Sequence, residues 1–150
     1  MADIDIVLRL LAAAVCGLVL GLQREVTDKP IGMRTLALVS LGAATVAATA
    51  LHFPGLASDP DAVSRVLQGV LQGLMVGVGF IGAGVILRDE STKKVHGLTT
   101  ATTVWIAAAV GIACGIGDWK VAATALVLAL VILIVLKRFE RHVTREPEQH

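Results

Sequence analysis

The chain has no tyrosine, and its aromatic content is 3%. Charged residues make up only 17% of the 150 positions, while hydrophobic residues make up 55% and mean hydropathy is +0.79. Little polar surface is left for a soluble domain, and on length alone this is one domain. The net charge of +1 gives no nucleic-acid signal. The two cysteines are too few for a structural zinc site. Both sit inside apolar segments, Cys16 reading as nearer one membrane face and Cys114 nearer the other, so a disulfide between them is not expected. No carboxylate falls at mid-membrane depth, which counts against simple ion-coupled transport. Ser40, Ser58, Ser64 and Ser91 have no His–Asp grouping near them, so the expectation is that the protein is not an enzyme and carries no cofactor.

What is present is a set of long apolar runs. From Val66 to Leu87 no residue is charged, a run of 22 residues, and about 20 apolar residues cross a bilayer core. This run holds Gly77, Gly79 and Gly82 in the G-x-G-x-x-G spacing of dinucleotide-binding loops. That spacing binds phosphate only between a strand and a helix, and no strand pattern or turn precedes Gly77. The membrane reading is preferred. As one helix, Gly69, Gly73, Gly77 and Gly84 share a sector, which predicts a face for close helix packing.

Four more apolar segments lie at about 4–22, 34–52, 99–117 and 119–136. The expected fold is an all-α integral membrane protein with five transmembrane helices over residues 1–137, followed by a short basic cytoplasmic tail at 138–150. Asp59-Pro60 reads as cap and first position of the third helix. Ten of the thirteen basic residues fall in the two odd-to-even loops and the tail: Arg24, Lys29, Arg34, Arg88, Lys93, Lys94, Lys137, Arg138, Arg141 and Arg145. The positive-inside rule then places the N-terminus outside and the C-terminus in the cytoplasm. Trp119 fits an interfacial aromatic belt. Arg9, the one charge inside a span, is read as snorkelling to the headgroups. Gln68 and Gln72 are read as interhelical glue.

The loops "REVTDKPIGMRT" (24–35) and "RDESTKKVHGLTT" (88–100) share the order Arg, acid, Gly and Thr. This suggests a parallel repeat of spans 1–2 and 3–4. It would bring Arg24-Glu25 and Arg88-Asp89 together at one face. Glu25 and Asp89 are weak candidates for a hydrated Mg²⁺. Pairing of each acid with its adjacent Arg is the simpler reading. Small and hydroxyl faces predict helix interfaces: Thr35, Gly42, Thr45 and Thr49 in span two, and Thr100, Thr103, Ala107, Gly111 and Cys114 in span four. Span five, nearly all Val, Leu, Ile and Ala, is expected at the periphery.

Four segments in order resemble the N-terminal membrane domain of the MgtC/SapB family: "GLQRE" (21–25), "GMRTLALVSLGAA" (32–44), "GVGFIGAGVILR" (77–88) and "HGLTTATTVWIAAAVGIACG" (96–115). The resemblance implies a small helical domain in the bacterial inner membrane, multi-pass. The cytoplasmic ACT-like domain of other members is expected to be absent. It implies a modulator in magnesium-linked homeostasis or stress response that works through membrane partners, the F-type ATP synthase being one partner tied to some members. Carried over by motif, the candidate functional residues are Arg24, Glu25, Arg34, Thr35, Arg88, Asp89, Gly97, Thr99, Thr100 and Trp105. Some members carry Asn at Thr99 and Cys at Ile106. Two other readings stay open: a transporter or channel for a small cation or solute, and a structural subunit of a membrane complex. A homo-oligomer is compatible with each. The topology is testable. Single cysteines at Ser91 and Ser58 should react with an impermeant maleimide from the cytoplasmic and outer sides respectively, and the reverse labelling would invert every sidedness assignment.

Overall fold

The computed structural model describes residues 3–25, 31–52, 60–88, 95–136 and 138. Among these residues, five helices are long and apolar enough to cross a membrane. They are α1 (Asp3–Glu25), α2 (Met33–Leu51), α3 (Pro60–Ala83), α4 (Leu98–Ile116) and α5 (Trp119–Val131), the last continued by a π-helical turn (Ile132–Leu136). Pro60 opens α3, where its missing N–H would have no partner in any case. α3 stops at Ala83, short of the expected Leu87. The N–H groups of Gly84, Val85 and Ile86 close turns on Phe80, Gly82 and Ala83. The chain then enters a two-residue antiparallel ladder, β1 (Leu87–Arg88) against β2 (Val95–His96).

The core is a three-helix seam of α1, α2 and α4. Eleven of α4's residues are buried, from Thr100 to Gly115, whereas α5 buries only Ala122 and Ala129. Helices in lipid gain little from burying apolar side chains, so close van der Waals contact must hold them. The seam supplies it with glycine. A methyl group added at Gly17 would overlap the Leu36 carbonyl, and one at Gly21 would meet the backbone of Met33. On the other side of α2, Gly111 lies against the Ser40 carbonyl and Gly115 against that of Ala44. The face of α2 between them is alanine-rich: Ala43, Ala44, Ala47 and Ala48 are all buried.

Several expectations change. Gly69, Gly73 and Gly77 do not pack against a helix, because nothing lies within 4 Å of the position a Cβ would take. They line an open groove beside α2. Gly84 is not on that face, since it follows the end of α3. Of the glycines predicted to pack, Gly111 sits against a neighbouring backbone. The threonine face of α2 points outward: Thr45 and Thr49 are exposed, and their hydroxyls donate back to the carbonyls of Leu41 and Thr45. Gln68 and Gln72 are exposed, so they glue nothing across helices here. The Gln that joins two helices is Gln23, whose amide reaches the Leu133 carbonyl in the π-helical turn.

Arg9 does not snorkel. Its guanidinium donates to the carbonyls of Gly115 (3.1 Å) and Ile116 and pairs with Asp5 at 3.0 Å. It thus satisfies orphan carbonyls at the C-terminus of α4 and places positive charge at the negative end of the helix dipole. Gly117, with φ +92°, turns the chain there, and any side chain on it would meet the Arg9 guanidinium. The Asp118 carboxylate then accepts from the Val121 N–H and caps α5. A residue in the second turn of α1 thus meets the last turn of α4. This packing also revises the cysteines. Both are free, and Cys16 packs against the cluster that holds Cys114, Ala13 and Val110.

The two classes of glycine should respond oppositely to substitution. Gly111→Ala forces α2 and α4 apart and should cost about 1–3 kcal/mol, the scale of core overpacking. Gly77→Ala enters open space and should be neutral or stabilise by up to about 1 kcal/mol through helix propensity. Thermal unfolding in detergent measures both.

Candidate functional site

The site begins with a buried charge. Arg24, one residue before the end of α1, is only 3% exposed. Burying a guanidinium is costly unless hydrogen bonds replace its water. Arg24 Nη2 donates to the Thr100 hydroxyl, so the last turn of α1 is fixed to the first turn of α4. Thr100 is itself buried and stands three residues after Gly97.

Glu25 works on the adjoining seam. α2 starts after Gly32, which has no side chain to cap the free N–H groups of the first turn. The Glu25 carboxylate accepts from the Met33 N–H at 3.3 Å instead. A negative charge suits a helix N-terminus, so α1 caps α2 from outside it. Gly97 begins α4 with φ +89°, in the left-handed region, and a Cβ there would overlap the Val85 carbonyl. Glycine is therefore required at Gly97 twice over, by conformation and by space. Thr99 is exposed, and its carbonyl accepts the hydroxyls of Thr102 (2.9 Å) and Thr103 (2.6 Å). These threonines edge a second groove of about 430 Å³ between α4 and α5.

The remaining sequence candidates separate. Arg34 and Thr35 are exposed on α2, with Thr35 lining the α2–α3 groove. Trp105 is 46% exposed on the outer side of α4. Asp89 lies outside the described residues. The two repeat loops differ in form where they are described. Arg24 is helical whereas Arg88 belongs to β1, and Gly32 is extended (φ −104°) whereas Gly97 is left-handed. The matched order of residues does not produce matched backbones. Arg24 donates to a hydroxyl from the other half. Among the described residues no three His, Cys, Asp or Glu gather into a metal-binding group. Sequence reading missed the Arg9 clamp and the Gly115 contact. The signal for the first was an arginine one and a half turns inside a span, and for the second the Gly111–Gly115 spacing.

The Arg24–Thr100 bond predicts an asymmetry. Thr100→Val should destabilise by about 1–3 kcal/mol, the scale of one lost hydrogen bond to a buried charge. Thr35→Val, at an exposed position, should stay within about 0.5 kcal/mol. Arg24→Met with Thr100→Val should be less harmful than the sum of the single changes, since contacting residues are non-additive. Urea or thermal denaturation in detergent reads all four proteins.

Comparison with known proteins bears on the whole of this arrangement. The MgtC family model matches residues 10–142. The chain is 41% identical to protein SrpB of Synechococcus elongatus, covering 89% of this chain and 75% of that protein. It is 34% identical to protein MgtC of Salmonella typhimurium, covering 94% of this chain and 56% of that one. It is 36% identical to protein SapB of Bacillus subtilis, covering 86% and 55% respectively. The chain therefore spans three quarters of SrpB but little more than half of the MgtC and SapB proteins. No solved structure matches significantly. With five membrane-crossing helices and a family match over most of its length, the chain is a multi-pass membrane protein of the MgtC family.

Proposed function

We propose that this protein is a modulator in magnesium-linked homeostasis or stress response, acting at the bacterial inner membrane by contact with other membrane proteins and without enzymatic chemistry of its own. One observation carries the reading. Parts of all four sequence segments that resemble the family meet at the basic end of the bundle. Arg24 of the first reaches Thr100 of the fourth, Glu25 caps the helix opened by the second, and Val85 of the third lies against Gly97 of the fourth. At the opposite end Arg9, outside these segments, holds the carbonyl of Gly115, the last residue of the fourth. On this reading the basic end faces the cytoplasm and is the working surface.

The packing favours a modulator over a conduit. The α1–α2–α4 seam is closed by backbone contacts at Gly17, Gly21, Gly111 and Gly115. The two grooves described above are apolar and open on the outside of the bundle. The name of the MgtC relative points toward magnesium, and that association comes to this chain as part of the proposal.

A deletion strain should grow more slowly than its parent when Mg²⁺ is limiting, equally well when Mg²⁺ is ample, and should be rescued by the intact gene. Glu25→Gln should lose rescue while membrane protein levels stay normal if the basic end is the working surface. Normal rescue by Glu25→Gln would reduce that carboxylate to a helix cap. Equal growth of deletion and parent at every Mg²⁺ level would remove the magnesium link. Flux of Mg²⁺ in proteoliposomes containing only this protein would replace the modulator with a transporter.

A further inference from the structure

The groove between α2 and α3 has a volume of about 790 Å³ and is lined by Thr35, Gly42, Val46, Gly69, Gly77 and their apolar neighbours. Its position along the bundle is informative. On α2 it runs from Thr35 to Val46, and on the antiparallel α3 from Ile81 to Gly69. At 1.5 Å per residue these stretches are roughly 16 and 18 Å long. A hydrocarbon core is ~30 Å thick, so the groove is about as deep as one leaflet. It opens at the basic end and stops before the other.

On α2, Arg34 directly precedes Thr35, the last lining residue toward the basic end, and is not itself part of the lining. It is exposed and makes no ion pair among the described residues. The nearby carboxylate of Glu25 is engaged with the Met33 N–H. Arg34 also lies in the first turn of α2, whose dipole adds positive potential. At the far end Arg65 lies one turn beyond Gly69 and has bonding partners of its own. An exposed arginine thus stands beside the basic end of the apolar slot, which extends away from it for about one leaflet's depth.

We infer that the α2–α3 groove is a binding site for a single anionic phospholipid, with an acyl chain along the glycines of α3 and the phosphate held by Arg34. The absence of Cβ atoms at Gly42, Gly69, Gly73 and Gly77 makes the slot. Arg is suited to the headgroup because its planar fork donates two hydrogen bonds to phosphate. The inference is independent of the magnesium reading.

Native mass spectrometry of the purified full chain tests it, with equimolar phosphatidylglycerol and phosphatidylcholine of matched acyl chains. The wild type should retain phosphatidylglycerol about fivefold over phosphatidylcholine, the scale of one basic residue at an anionic surface. Arg34→Gln should bring the ratio to about one. Gly73→Leu, which enters open space and fills the slot, should lower retention of both lipids severalfold with the fold intact by circular dichroism. Equal retention of the two lipids by the wild type, an unchanged ratio in Arg34→Gln, or full retention in Gly73→Leu would each overturn the site. So would a wild-type dimer that Gly73→Leu dissociates, since the groove would then hold a helix of a second copy.

Discussion

The bundle depends on how closely backbones approach at α2. α1 reaches one side of it through Gly17 and Gly21, and α4 reaches the other through Gly111 and Gly115. In water, three apolar helices would be held by expelling solvent. In lipid that drive between helices is lost, and contact density must replace it. Glycine in these helices carries a propensity cost of up to about 1 kcal/mol each relative to alanine. The cost is offset by dispersion contacts made along the full length of a seam with no side chain in the way. The alanine face of α2 follows from the same constraint, because a larger residue at Ala44 or Ala47 would separate the helices again.

Once the seam is closed, its ends need polar closure, and two arginines of α1 provide it. Arg9 satisfies the carbonyls that end α4, and Arg24 fixes the start of α4 through Thr100. α4 is thus held at both ends by one helix, and α2 is capped at its start by Glu25 of that helix. α1 acts as the frame. α3 and α5, which touch the frame least, leave the grooves along the lipid-facing sides. This division puts rigidity at the centre and open surface at the edges.

Much of this was legible beforehand. Hydropathy located five spans because a bilayer requires length and apolarity whatever the packing. The faces of α4 and the bareness of α5 were also readable, since Thr100, Thr103, Ala107 and Gly111 fall on one side, and span five offers no small-residue face. The resemblance singled out Arg24, Glu25, Gly97 and Thr100, and the structure brings these to one end. Their partners were not readable. Each loop offered Arg an adjacent acid, and a pairwise rule chose it. The fold gave Arg24 a hydroxyl 76 residues away. The repeat suffered similarly: it was written in residue order, whereas Gly32 and Gly97 differ in backbone conformation.

The glycines show where the boundary falls. Gly17 and Gly21, Gly111 and Gly115, and Gly69, Gly73 and Gly77 all repeat every four residues. By itself the sequence determined that each series forms a smooth strip on a membrane helix, because periodicity and the missing Cβ are local properties. It determined the number of spans and the charge asymmetry between the two ends for the same reason. Only the tertiary structure decided that the first two strips meet a backbone while the third stays open. It likewise decided that Arg9 turns inward to a helix end and that Cys16 packs against the cluster that holds Cys114. Each of these depends on the axial offset and angle between helices. Those quantities are set by all the contacts of the bundle together and are written in no single segment.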